Sequence, residues 1–133
     1  MLKKIFSLKH AEVLFRSAVA MVFAYFGVQA SLQPEWQAAL WLQPFTVKLI
    51  AAVLPVKVFM IIFGGLQTVV ALLLLAGRFL AYVLPAAAVL LLGIIVNVGF
   101  NEVSLRDFVI LTGVLFLYSR HLASKQARNK INN

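Results

Sequence analysis

Residues 58–77 read VFMIIFGGLQTVVALLLLAG, Arg78 follows alone, and residues 79–101 read FLAYVLPAAAVLLLGIIVNVGFN. Neither run carries a charge. A helix rises about 1.5 Å per residue, so twenty residues reach about 30 Å, the hydrocarbon thickness of a bilayer. With only Gly77 and Arg78 between them, the runs predict a hairpin of two membrane-spanning helices, over about 58–77 and 79–101, with a cationic turn. Pro85 lies inside the second run and is expected to kink it, freeing the carbonyl of Ala81.

Upstream, residues 17–34 are free of charge. A span is expected over about 13–30, with Arg16 snorkelling at its end. The rival reading is a cleaved leader, with Lys3 and Lys4 as its basic head and Val28-Gln29-Ala30 before the cut. The long stretch through Arg16 and the bulky Phe23, Tyr25 and Phe26 argue against it. In the mixed region 31–57, Gln33, Pro34, Glu35, Trp36, Gln37, Trp41, Gln43 and Pro44 predict an interfacial loop with tryptophans at headgroup depth. Phe45 to Leu54 carries Lys48 between two prolines. It reads as a short amphipathic segment that is interfacial or re-entrant.

Downstream, 101–107 reads as a polar link and a fourth span is expected over about 104–122. Only residues 108–119 are charge-free, a length of about 18 Å, too short to cross alone. Arg106 and Asp107 must therefore sit in the first turn, with Arg120 at the far end, an arrangement the helix dipole favours. Residues 123–133 read as a basic, loosely ordered tail. The expected fold is all-α: a single membrane domain over 1–133, an integral four-helix bundle.

Composition agrees. The 133 residues are 63% hydrophobic and 12% charged, with mean hydropathy +0.99. Soluble domains run about 45–50% and 25%, and a chain this small could not bury the excess. Net charge is +8. Lys3, Lys4, Lys9, Arg16, Arg78, Arg120, Lys125, Arg128 and Lys130 would face the cytoplasm, and Lys48, Lys57 and Arg106 the outside. The positive-inside rule then puts both termini in the cytoplasm of a multi-pass plasma (inner) membrane protein, and explains the cations without nucleic acid. Absent cysteine excludes disulfides, thiolate metal sites and Fe–S clusters. His10 and His121 have no metal-site spacing, so no metal is expected. No catalytic motif is present.

The candidate polar site comprises Arg16, Gln67, Asn97, Glu102, Arg106 and Asp107. Gln67 lies deep in its span, where an amide needs a partner. It serves either as a helix-to-helix hydrogen bond or as a contact to a quinone carbonyl in a small pocket. Asn97, Asn101, Glu102, Arg106 and Asp107 converge at the outer end with Gln29, Gln33, Glu35 and Lys57. They form either a ligand or proton-relay site or a set of closing ion pairs, for example Arg106 with Glu35 or Glu102. Arg16 and Arg78 either orient the chain or clasp an anion. Gly64, Gly65, Gly93, Gly99 and Gly113 permit close helix contact.

Three stretches carry a family resemblance. They are Leu14-Phe15-Arg16-Ser17 running into Val22 through Gln29, Gly65-Leu66-Gln67 with Leu72 through Arg78, and Leu105-Arg106-Asp107. Together they resemble the DoxX-like family of small four-span bacterial membrane proteins, over roughly 12–120. The family often has an acidic residue where Gln67 stands, and a glutamine cannot shuttle a proton as a carboxylate does. The resemblance implies a non-catalytic accessory subunit of a quinone-linked membrane redox system. The cofactor need not be on this chain, and the partners would be the bilayer and a redox protein or further copies of the chain. The alternatives are a small oligomeric transporter or channel and a structural, lipid-organising protein. A channel predicts polar residues along one face of one helix, which the second and third spans lack.

Overall fold

The computed structural model describes residues 7–131. Among them are six helices and no strands: α1 (Leu8–Leu32), α2 (Pro34–Trp41), α3 (Pro44–Ala51), α4 (Val56–Ala76), α5 (Leu80–Val98) and α6 (Glu102–Ile131). Three of them, α1, α4 and α5, are long and apolar enough to cross a membrane. Large apolar side chains such as Met21, Ile62, Val89 and Phe116 point outward from the bundle.

Prolines and polar caps set the breaks. Pro34 and Pro44 occupy the first turns of α2 and α3, and Pro55 caps α4. Proline lacks the N–H that a helix start leaves unpaired, and it disfavours helix in the residue before it. Gln33, preceding Pro34, accordingly leaves the helical region at φ −130° and ψ 58°. Asn101 and Ser104 cap α6 reciprocally: Ser104 N donates to Asn101 Oδ1 at 3.0 Å, and Asn101 N donates to Ser104 Oγ at 2.8 Å. At the hairpin, Gly77 is left-handed at φ 66°. Its N–H and that of Arg78 close onto the carbonyls of Leu74 and Leu73, a Schellman end that glycine adopts without steric cost.

The bundle is two antiparallel pairs, α1 with α4 and α5 with α6, joined by lighter α4–α5 and α1–α6 contact. Each helix buries one stripe at helical spacing. On α1 it is Val19, Phe23, Gly27 and Ala30; on α4, Met60, Gly64, Gln67 and Leu74; on α6, Ser104, Asp107, Leu111, Val114 and Leu117. Gln67 and Asp107 are therefore buried because they stand in register with the apolar stripes.

The structure revises several sequence expectations. The interfacial loop over 31–43 contains α2, and the segment after it forms α3, which buries no residue. The polar link shortens to Gly99–Asn101, because the Asn101–Ser104 cap starts α6 at Glu102. Arg106 and Asp107 thus lie in the second turn. Residues 123–131 continue α6 as helix in place of a loose tail; Arg128 and Lys130 stand in its last turn, where cations suit the dipole. The helix α5 runs unbroken through Pro85, which the expected kink allows. Of the glycines expected at close contacts, Gly65 and Gly93 meet nothing within 4 Å. Gly64 makes the close contact expected of it, with Gly27 as its partner, and Gly113, also expected, lies under the ring of Phe15.

Candidate functional site

A cavity of about 230 Å³ opens between the two pairs, at the end where α2 and α3 cover the bundle. Phe23, Phe26, Phe59, Met60, Phe63 and Leu91 give it apolar walls. Phe59 and Phe63, one turn apart on α4, stack with centroids 5.8 Å apart. Gln37, Trp41, Gln67, Asn97, Arg106 and Asp107 bring polar atoms to it from four helices.

Most of these groups hold one another. Trp41 Nε1 donates to Gln37 Oε1 at 2.7 Å, within α2. Asn97 Nδ2 donates to the Trp41 carbonyl at 2.7 Å, tying α5 to α2. Arg106 donates to Asp107 through Nε at 2.9 Å and Nη2 at 2.8 Å, both to the same oxygen, Oδ1. The Arg106 guanidinium also stands 5.0 Å from the centroid of Phe26, a cation–π distance. Phe26 in turn meets Trp41 edge to face. The carboxylate side chain is 4% exposed and its arginine 44%, so the arginine reaches inward from the rim to neutralise a buried charge.

Besides the free Nε2 of Gln37, three polar groups are left over. Asn97 Oδ1 is buried without a partner. Asp107 Oδ2 takes no share of the arginine. Gln67 is 3% exposed and lines the cavity, and its amide makes no hydrogen bond among the described residues. A buried amide without a partner is costly, so the helix-to-helix hydrogen bond expected of Gln67 is replaced by exposure to the cavity.

Of the six candidate residues, Gln67, Asn97, Arg106 and Asp107 converge here. Arg16 and Glu102 do not. The Arg16 guanidinium packs at the opposite end of the bundle, against Gly77 at the C-terminus of α4, where the helix dipole favours a cation. Glu102 is exposed in the first turn of α6. The pairing expected between Arg106 and Glu35 or Glu102 is replaced by Arg106 with Asp107, because the short i, i+1 reach satisfies the buried carboxylate. Glu35 pairs instead with Lys57 at 3.5 Å, and Arg120 with Glu12 at 2.7 Å. Gln37 and Trp41 were not foreseen as site residues. Their i, i+4 spacing behind a helix-starting Pro34 is the signal that places them on one face of α2.

No family model matches this chain, and neither the curated proteins nor the solved structures contain a match to it.

Proposed function

We propose that this chain is a four-span membrane protein of the plasma (inner) membrane that holds a small lipophilic ligand of the quinone class, as a non-catalytic accessory subunit of a membrane redox system. The single observation that supports a ligand is the 230 Å³ cavity with the unbonded amide of Gln67 on its wall. Ligand sites have this character: mostly apolar walls with a few placed polar groups. The DoxX-like resemblance supports the quinone class and the accessory role.

The fourth span is α6. Its buried Leu111, Val114 and Leu117 face the core beside α5, which sets the charge-free stretch 108–119 alongside an apolar helix of membrane length. Both termini are then cytoplasmic and the cavity lies in the outer half of the bundle, in keeping with the distribution of lysine and arginine.

Purification in nanodiscs at native expression tests this reading. A stoichiometric quinone-class molecule or a co-purifying redox protein is expected. A chain that carries only bulk lipid and no partner overturns it in favour of the structural or transport readings.

A further inference from the structure

The hydrogen-bond inventory of the cavity constrains what it takes, given the ligand reading above on which this inference rests. A tryptophan N–H only donates, so Gln37 must present Oε1 to Trp41 and keep its Nε2 donors free. A backbone carbonyl only accepts, so Asn97 must present Nδ2 to it and keep Oδ1 free. The two amide orientations are therefore fixed by their partners. Arg106 spends both contacting nitrogens on Asp107 Oδ1, which leaves Oδ2 as a second acceptor. Gln67 offers either sense. The groups open to a ligand are thus two acceptors, of which Asn97 Oδ1 is buried without a partner, one donor on Gln37, and the Gln67 amide, which does both.

We infer that the cavity selects a small ring bearing a hydroxyl group, of the phenol or hydroquinone class, over the corresponding ketone or ether. A hydroxyl donates and accepts at once. It can give its hydrogen to Asn97 Oδ1 or Asp107 Oδ2 while it accepts from Gln37 or Gln67. A ketone or ether oxygen only accepts, and would leave the buried Asn97 Oδ1 unmet. The size points the same way. An apolar cavity of about 150 Å³ takes a benzene ring, and sites for drug-sized molecules start near about 300 Å³. At about 230 Å³ the space fits one substituted ring, between the stacked Phe59 and Phe63 and the Phe26–Trp41 pair. The reduced, hydroxylated member of a quinone couple is therefore the form that the site holds.

The chain has two tryptophans. Trp36 is exposed and Trp41 lines the cavity, so Trp36→Phe leaves a fluorophore at the site. That protein, in nanodiscs, is titrated with methylhydroquinone and with its dimethyl ether, which keeps the ring and lacks the donors. The hydroquinone is expected to bind about tenfold or more tightly, since each buried acceptor left unmet carries a penalty of that order. In Asp107→Asn, which removes the charged acceptor, the preference should fall to about a few-fold. Equal affinity for the two compounds overturns the hydroxyl inference and leaves the ligand reading standing. No response to either compound, in protein that keeps its helical spectrum, overturns both.

Discussion

Gly27 and Gly64 oppose one another across α1 and α4 with no room for a methyl group. A Cβ on Gly27 would stand 2.7 Å from the Gly64 carbonyl oxygen, and one on Gly64 would stand 2.5 Å from that of Gly27. One turn on from each, Ser31 and Thr68 return their hydroxyls to the same two carbonyls, at 3.0 and 2.9 Å. The result is a small-residue crossing with its polar groups satisfied inside each helix, an arrangement suited to an apolar solvent. Because the obstructing atoms include backbone oxygens and nitrogens that cannot swing away, Gly27→Ala or Gly64→Ala should destabilise the fold by about 1–3 kcal/mol, in the range of overpacked cores. Gly65→Ala and Gly93→Ala, which meet open space, should be neutral or slightly stabilising, since alanine is the better helix former. Unfolding of the four variants in mixed micelles checks this contrast.

Gly77→Ala should weaken the α4–α5 hairpin by about 1–2 kcal/mol, because an L-residue resists the left-handed conformation. Its methyl would also stand 3.0 Å from Arg16 Nη2. Restoring the loss by adding Arg16→Ala to the same chain would identify the guanidinium contact as the larger cause, and no restoration would identify the backbone. The same unfolding assay reads both.

The ion pair at the cavity is asymmetric, and its two halves should not be equivalent. Arg106→Leu leaves a buried carboxylate alone. It should cost on the order of 2 kcal/mol, less than the roughly 3–5 of a fully buried pair because the arginine is half-exposed. Asp107→Asn keeps the shape, removes the charge and frees an arginine that can turn to the rim, so its loss should be smaller. Equal losses would contradict the assignment of Asp107 as the buried member.

The absence of cysteine makes topology directly measurable. Single cysteines at Ser7 and Ser124 should react with an impermeant thiol reagent from the cytoplasmic side, and one at Glu35 from the outer side. Labelling of Ser124→Cys from the outer side would mean that α6 does not cross.

The long apolar helices were legible in the sequence because length and apolarity decide them. The runs at 58–77 and 79–101 became α4 and α5 within two or three residues at each end, and the stop at Gly77 follows from glycine's freedom. What escaped was set by capping and by partner choice. Nothing in composition marks residues 34–41 as helix; Pro34 at its start does, once Gln33 has left the helical region. The Asn101–Ser104 cap likewise moved the start of α6. Ion pairs were the least legible part, since Glu35, Glu102 and Asp107 all lie within reach of Arg106 in sequence terms, and burial of the stripe through Asp107 decides among them. Gln67 was legible as a residue that needs a partner. That it faces a cavity depends on the gap between two helix pairs, which no single segment encodes.

The gap between the helix pairs is proposed to hold a ligand at Gln67. Gln67→Leu removes an amide that makes no hydrogen bond among the described residues and lays apolar carbon against apolar walls, so the protein should insert and unfold as the native chain does or more stably. The most direct measurement is mass spectrometry of small molecules extracted from wild-type and Gln67→Leu protein purified side by side in nanodiscs. A near-stoichiometric hydroxylated ring compound is expected in the wild type, and its loss is expected from an equally stable variant. Bulk lipid alone in both, or a variant that unfolds readily because a helix-to-helix hydrogen bond is gone, would contradict that proposal.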